Sequence, residues 1–314
     1  MTKTILPVVA GPTASGKTAC AVELALLIGG EVISADSMQI YRGMDILSAK
    51  PDKAEMKCVR HHLLGFVDPR DRYTADAYRA DAKSAICDIA ARGKKPMLCG
   101  GTGLYINAIT RPMSFSEQSD EKMHEELMEM GSTPEGRKQL FSMLKEIDPE
   151  SSARLHENDV RRVSRAIEIF RLTGKTQTEQ IRLDREREGD YSEIIFALDW
   201  PRDVLYHRIG VRVDEMIKAG LIEEVRNLMK DESRHPTALQ AIGYKEIAAA
   251  LKGDITMNDA IDLTKQATRH LAKRQMTWFK RDDRVIWLNA EGKKAKELAS
   301  EMRDRIHDRF GNDF

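Results

Sequence analysis

The stretch Gly11-Pro12-Thr13-Ala14-Ser15-Gly16-Lys17-Thr18 constrains this chain more than any other, because it meets the pattern G-x-x-x-x-G-K-[ST] at every fixed position. The apolar run Ile5–Ala10 before it reads as a buried strand, and Ala19–Leu27 after it carries apolar residues at helical spacing. A strand that turns through such a loop into a helix makes an anion cradle. Successive backbone N–H groups face the anion, together with the positive end of the helix. Lys17 adds a point charge, and the Thr18 hydroxyl is placed to ligate Mg²⁺. The pattern is most often met holding a nucleotide, but the loop alone does not say which phosphate compound it takes.

The rest of the chain alternates strand and helix. Further short apolar runs at Glu31–Ala35, Pro96–Cys99, Ile194–Leu198 and Val285–Leu288 read as strands, with helical patterns between them. The expected fold class is therefore α/β, a P-loop NTPase-like parallel sheet flanked by helices. In such sheets ligands bind beyond the carboxyl ends of the strands, here the phosphate loop, Asp36 and Gly100–Thr102. From about Phe115 the rhythm changes to charged, helical segments near Glu121–Met130, Pro134–Ile147 and Asp159–Thr173. Residues 116–190 are thus expected to form a helical insertion domain in a core of 1–115 and 191–314. His61-His62 falls in a polar connection and is assigned a structural role, and Arg182–Asp190, alternating in sign, is read as a solvated connection.

Charge limits the partners. The chain has 314 residues with 50 basic and 50 acidic side chains, so any hold on nucleic acid must come from local patches. Such patches exist. Arg161, Arg162 and Arg165 lie close on one helix, and Lys265, Arg269 and Lys273 recur every four residues beside Arg274, Lys280, Arg281 and Arg284. Trp278 and Phe279 sit within the second patch. Cations interleaved with aromatics suit RNA, although a solvated helix with core aromatics has the same pattern. Four scattered cysteines, Cys20, Cys58, Cys87 and Cys99, show no metal spacing and suggest a reducing compartment. With no membrane-length apolar run and no signal-peptide pattern, a cytoplasmic location with no membrane association is expected, and a monomer is assumed, with no sequence feature behind it.

Individual residues carry the chemistry. Asp36, at a strand end beside the loop, could act as general base or help hold Mg²⁺, where a plain helix cap is the structural alternative. Asp199 also ends an apolar strand, but Trp200-Pro201 follows at once and the reading favours a helix cap. Gly100-Gly101-Thr102-Gly103 lets backbone approach a ligand, or simply turns. Arg208 and Arg212 share a helix face, so Arg212 could reach a diphosphate or pair within its own helix.

Taken together, GPTASGKT, Asp36-Ser37-x-Gln39-x-Tyr41-Arg42-Gly43-Met44-Asp45, Ala49-Lys50-Pro51 and Gly100-Gly101-Thr102-Gly103-Leu104-Tyr105 closely resemble the bacterial tRNA dimethylallyltransferase family. So do Asn158-Asp159-Val160-Arg161-Arg162, Arg212-Val213-Asp214-x-Met216, Ile242-Gly243-Tyr244-Lys245 and Ala272-Lys273-Arg274-Gln275-x-Thr277-Trp278. The resemblance implies transfer of a dimethylallyl group from dimethylallyl diphosphate to the exocyclic amino group of the adenosine just 3′ of the anticodon, in tRNAs reading codons that begin with U. It implies that Gly11–Thr18 cradles diphosphate with Mg²⁺ on Thr18, that Asp36 is the base, and that Lys17 and Arg212 stabilise the leaving group. It implies tRNA contacts from Asp36, Ser37, Met38 and Gln39; from Thr102; from Arg161, Arg162, Val163, Ser164 and Arg165; from Gln240, Ala241, Ile242, Gly243, Tyr244 and Lys245; and from Lys273, Arg274, Gln275, Met276, Thr277, Trp278, Phe279 and Lys280. The insertion would grip the anticodon stem-loop. Leu47 and Ser48 stand where the family usually has Gly-Thr, Gly65 where Asp is common, and His270-Leu271 where Gln-Tyr is commoner. The chain also lacks the Cys and His of the zinc finger that some members carry.

Two other functions fit parts of the pattern. An ATP-dependent small-molecule kinase would use the same loop, but no lid arginine cluster is evident in the core. A non-catalytic RNA-binding module would need only the two basic patches.

Overall fold

The computed structural model describes residues 3–113, 120–230 and 238–311. These residues divide into two compact units, one comprising 1–110 and 190–314 and the other 111–189. The expected limits of the insertion, 116–190, differ from this division at both ends, and residues 114–119 lie outside the described set.

The larger unit begins β1 (Ile5–Ala10), α1 (Lys17–Ile28), β2 (Gly30–Ser34), α2 (Lys53–Met56), β3 (His61–His62), α3 (Ala75–Ala91), β4 (Lys95–Gly100) and α4 (Gly103–Thr110). The smaller unit supplies α5 (Glu121–Met130), α6 (Pro134–Ile147), α7 (Pro149–Arg154), α8 (Val160–Thr173) and α9 (Gln177–Glu186). The larger unit resumes with β5 (Ser192–Asp199), α10 (Arg202–Lys218), α11 (Leu221–Met229), α12 (Tyr244–Lys252), α13 (Met257–Phe279), β6 (Val285–Asn289) and α14 (Ala295–Phe310). Among the described residues no helix is long and apolar enough to cross a membrane.

The sheet has six strands in the order β3-β2-β4-β1-β5-β6. Every pairing is parallel, in register at Val8↔Leu98, Ile33↔Leu98 and Val9↔Phe196. Near-continuous apolar runs such as Leu6–Ala10 and Ile194–Leu198 are buried on both faces, as a parallel sheet requires. One face packs on α1 and α14 through Leu24, Leu298 and Met302, the other on α3 and α4 through Tyr78, Ile86 and Ile106. A third cluster joins α11 and α12 to the segment after β2, through Ile40, Tyr41, Leu47, Val225 and Tyr244. Because β2, β4 and β1 are neighbours, the phosphate loop, Asp36 and the Gly100–Thr102 turn leave the sheet side by side.

His61-His62 is not merely a polar connection. The pair forms the edge strand against Val32 and Ile33, and His62 Nε2 lies 2.7 Å from Glu31 Oε2. The sequence carries no strand-length apolar pattern there; pairing with β2 is what orders these two residues.

The smaller unit is helical around Leu127, Leu140, Leu144, Val163, Ala166 and Ile167. Its α9 corrects the expected solvated connection, since the helix runs from Gln177 to Glu186. The capping box Thr176/Glu179 that starts it is a readable signal, masked by the charge alternation downstream. Asp148 ties the start of α7 to the start of α9. Its buried carboxylate accepts the N–H groups of Ser151 and Thr178, both at 3.0 Å, and their hydroxyls, both at 2.7 Å. Burial alone would raise the Asp148 pKa, but these hydrogen bonds outweigh it and hold the carboxyl below its usual range.

Candidate active site

The phosphate loop is held from outside by side chains of distant elements. The Thr13 N–H donates to Gln275 Oε1 at 2.8 Å, and Gln275 Nε2 donates to the Gly101 carbonyl at 3.0 Å. One side chain of α13 thereby joins the turns after β1 and β4. Trp200 Nε1 donates to the Ser15 carbonyl, and Arg208 Nε to the Ala14 carbonyl, both at 2.9 Å. Arg208 also lies over the Trp200 ring, 4.4 Å from its centroid. Gly16 enters α1 at φ 88°, a left-handed conformation that a side chain would strain.

Inside the loop, Lys17 is buried, with Nζ 3.4 Å from the Pro12 carbonyl. Burial pushes its pKa below the ordinary lysine value, with Asp36 and Cys99 pulling the other way. Thr18 is half-buried and hydrogen-bonds the Cys99 thiol, whose pKa burial pushes up to about 11.

Asp36 follows β2. The Met38 N–H donates to its Oδ1 at 2.9 Å, an Asx-type turn that fixes the carboxylate direction. Next to it the Ser37 N–H donates to Thr102 Oγ1 at 3.0 Å. The Ala35 N–H donates to the Cys99 carbonyl at 2.8 Å, and the Thr102 N–H to the Ala35 carbonyl at 3.1 Å. From α10, Arg212 reaches the Ala49 carbonyl at 3.2 Å. Burial lowers its pKa, opposed by the charges of Glu55, Asp36 and Glu215.

A cavity of about 410 Å³ is lined by Lys17, Thr18, Asp36, Gln39, Arg208 and Arg212, among others. The four residues singled out for chemistry, spread from position 17 to position 212, therefore face one space. Its wall holds the cations Lys17, Arg208 and Arg212 and the carboxylates Asp36, Glu55 and Glu215, which suits a polyanion and a group that loses a proton.

Other expectations are changed. Asp199 caps nothing: the cap position of α10 is Pro201, with no side-chain cap hydrogen bond, and Asp199 is exposed at the end of β5. Gly100 has no room for a side chain, since an added Cβ would lie 2.1 Å from the Ala35 carbonyl oxygen, and at Gly101 one would lie 2.3 Å from Gln275 Nε2. Among the segments assigned to tRNA, the side chains of Val163, Ser164, Ala241, Tyr244 and Phe279 are buried rather than presented at the surface. Phe279 belongs to the core beneath α3 and α4, and Tyr244 to the cluster around α11 and α12.

On α13, Lys273, Arg274, Thr277 and Trp278 are exposed and Met276 is half-buried, and Lys280 just after the helix is exposed. In the basic stripe, Lys265 is paired with Asp214 at 2.6 Å. Arg284 bridges Asp282 and Glu193 at 2.7 and 2.9 Å. Elsewhere in the larger unit Gln240 and Lys245 are exposed and Ile242 is half-buried, while Gly243 caps α12 at φ 95°. Within the smaller unit Arg161 and Arg162 are exposed, and Arg165 lies 3.1 Å from the buried Glu168, which also meets His124 Nδ1 at 2.6 Å. Trp200 and Gln275 as braces of the loop, and Glu55 in the cavity wall, escaped the sequence reading.

Residues 39–282 match the family described as IPP transferase, and residues 4–72 match isopentenyl transferase. This chain belongs to the IPP transferase family. Among relatives of this IPP transferase, the tRNA dimethylallyltransferase of Geobacter metallireducens is 45% identical over 303 residues, covering 96% of this chain and 97% of that protein. The tRNA dimethylallyltransferase of Bacillus subtilis is 42% identical over 288 residues, 92% of this chain and 91% of that protein. The crystal structure of a tRNA isopentenylpyrophosphate transferase from Staphylococcus epidermidis superposes with a TM-score of 0.72 at 37% identity, covering 98% of this chain and 100% of that one. A eukaryotic dimethylallyltransferase acting on tRNA superposes with a TM-score of 0.83 at 27% identity, covering 99% of this chain and 79% of that one.

Proposed function

We propose that this IPP transferase is a tRNA dimethylallyltransferase. It moves the dimethylallyl group of dimethylallyl diphosphate to the exocyclic N6 of the adenosine 3′-adjacent to the anticodon in tRNAs reading UNN codons, and releases diphosphate. The observation that carries the reading is the single cavity shared by Lys17, Thr18, Asp36 and Arg212. Full-length relatives named for this activity support it.

The chemistry needs two things from the cavity. As the bond from the allylic carbon to the diphosphate oxygen breaks, negative charge gathers on the leaving group. Lys17, Arg212 and the loop amides are preorganised to receive it. As the adenine nitrogen bonds to that carbon, it sheds a proton, and the Asp36 carboxylate accepts it. The adenosine must leave its stack to reach the cavity, and Thr102, which accepts the Ser37 N–H beside Asp36, would help place it. Mg²⁺ fits the donors present. The Thr18 hydroxyl and the Asp36 carboxylate are hard oxygen donors on one cavity, and the described residues contain no group of three or more His, Cys, Asp or Glu able to cage a metal. A Mg²⁺ held mainly by substrate phosphate and water suits such a sparse set. Thr18 would hold it, and when bound it supplies further positive charge to the diphosphate.

Arg161, Arg162 and Arg165 on the smaller unit supply cations for RNA; on the larger unit, Lys273, Arg274 and Trp278 of α13 and Lys280 just after it supply cations and an exposed aromatic. The enzyme acts as a monomer in the cytoplasm, where its tRNA substrate is.

The test is transfer of labelled dimethylallyl diphosphate to unmodified tRNA with Mg²⁺. Wild type incorporates label, and Asp36→Ala loses a factor of about 10²–10⁴ in kcat while its tRNA affinity stays. An unlabelled product from wild type overturns the assignment. Full activity in Asp36→Ala removes the base, and phosphate transfer from ATP to a small alcohol would restore the kinase reading.

A further inference from the structure

We infer that Glu224 is a positioning residue for the diphosphate side of the cavity, acting through the loop of residues 44–50. It touches no lining group directly. From α11 its half-buried carboxylate accepts three successive backbone N–H groups: Asp45 at 3.0 Å and Ile46 at 2.9 Å on Oε2, and Leu47 at 2.7 Å on Oε1. Three amides converging on one anion make a nest, and charge-assisted bonds of this kind are stronger than neutral ones. In sequence the partners are distant, and Glu224 reads as one acidic residue of a surface helix.

What the loop does next ties Glu224 to the site. Within it the Ala49 N–H donates to the Ile46 carbonyl and the Lys50 N–H to the Asp45 carbonyl, both at 2.9 Å. Ala49 is thereby held at φ 49°, a left-handed conformation that costs a residue with a Cβ and persists only where the surroundings impose it. In that conformation its carbonyl receives Gln39 Nε2 and Arg212 Nη2, both at 3.2 Å. Gln39 and Arg212 line the cavity. So the chain of support runs from Glu224 to three amides, to the strained Ala49, to the guanidinium expected to meet diphosphate. Leu47 assists from the other side, buried in the cluster with Tyr244 and Val225. This also accounts for Leu at a position where glycine is usual: the side chain fills space over Gly243, with Cδ1 3.1 Å from where a Cβ would sit.

The inference rests on reading this cavity as a diphosphate site. It predicts that Glu224→Gln, of the same shape but with an amide where the carboxylate was, loosens Ala49 and releases Arg212. In the full chain, inorganic diphosphate binding by calorimetry and the KM for dimethylallyl diphosphate should each weaken about tenfold, while the KM for tRNA changes by less than about twofold. Adding Ala49→Gly, which adopts the left-handed conformation without strain, should recover most of the lost affinity. A role limited to fold stability would lower the melting temperature, leave substrate affinities of the folded variant alone, and gain nothing specific for diphosphate from the glycine. Wild-type diphosphate affinity in folded Glu224→Gln overturns the inference, as does an equal loss toward tRNA. If Glu224→Gln fails to fold, Glu224→Asp carries the same comparison. A wild type that binds diphosphate but labels no tRNA would sink the proposed function and leave the Glu224 comparison standing; a wild type that does not bind diphosphate sinks both.

Discussion

Lys17 shows how one residue sets the conditions under which the loop works. Burial strips water from its ammonium and lowers its pKa from the ordinary 10.5, and Asp36 only partly restores it. The unfolded chain therefore binds this proton more tightly than the folded one, so free-protein stability rises with pH from the lowered value to about 10.4. Anion binding runs the opposite way, because diphosphate favours the charged form. Affinity for diphosphate is full at pH below the lysine's pKa in the free protein and falls as pH rises through it. Binding near that pH should take up a proton, visible as a dependence of calorimetric enthalpy on buffer ionisation. Lys17→Met should weaken binding by about 2 kcal/mol and abolish the alkaline fall; an unchanged pH profile would exclude Lys17 as its origin. Lys17 and Thr18 were legible from the eight-residue pattern because that pattern is local: the loop, the lysine and the hydroxyl follow one another in the chain.

At the scale of elements, the site depends on how tightly β2, β4 and α13 approach. Gly100 ends β4 with no room for a side chain, a Cβ lying 2.1 Å from the oxygen and 2.3 Å from the carbon of the Ala35 carbonyl. Ala35 immediately precedes Asp36. Gly100→Ala must therefore push β2 away from β4 and turn the carboxylate with it. We expect a loss of about 1–3 kcal/mol in denaturant unfolding together with a fall in kcat. The contrasting variant is Gly103→Ala, where the obstacle is the Trp278 indole, 2.1 Å away on an exposed ring that can swing aside. It should cost less stability. Equal losses would mean that the close approach of β2 and β4 is not what Gly100 protects. The glycine cluster is legible in the sequence but the reason for it is not, because Ala35, Gln275 and Trp278 are brought to it only by sheet order and by the path of α13. The same limit explains Phe279 and Tyr244. A contiguous run such as Lys273–Lys280 spans two helical turns, so it necessarily includes residues facing the core.

For the whole molecule, the two units have separate apolar cores, and they should respond separately to damage. Leu140 is fully buried in the smaller unit among Leu144, Val163 and Ile167. Leu140→Ala should cost that unit about 3 kcal/mol. Hydrogen exchange should then quicken in α5, α6 and α8 while the amides of the sheet keep their protection. Loss of protection in β1 and β5 would show instead that the chain unfolds as one cooperative body. Charge is also a property of this scale. With 50 basic and 50 acidic side chains the molecule has no overall pull on a polyanion. Ion pairs such as Lys265–Asp214 and Arg284–Glu193 reduce the free positive charge of α13 and its neighbourhood further.

The amino-acid sequence by itself determined the strand, loop and helix around Gly11–Thr18, the alternation that makes a parallel sheet, the run of helices from α5 to α8 and the place of Asp36 just beyond β2. Each is written in neighbouring residues or in a short period, which is where propensity and patterning act. Tertiary structure alone decided which residues share the cavity and what braces it: Arg212 beside Asp36, Gln275 on Thr13, Trp200 and Arg208 on the loop carbonyls, Glu224 on the amides of residues 45–47. These contacts join residues far apart in the chain through single hydrogen bonds, and a hydrogen bond leaves no period in a sequence. Strand order brings the partners within reach, and only then does the chemistry of each pair decide that they bind.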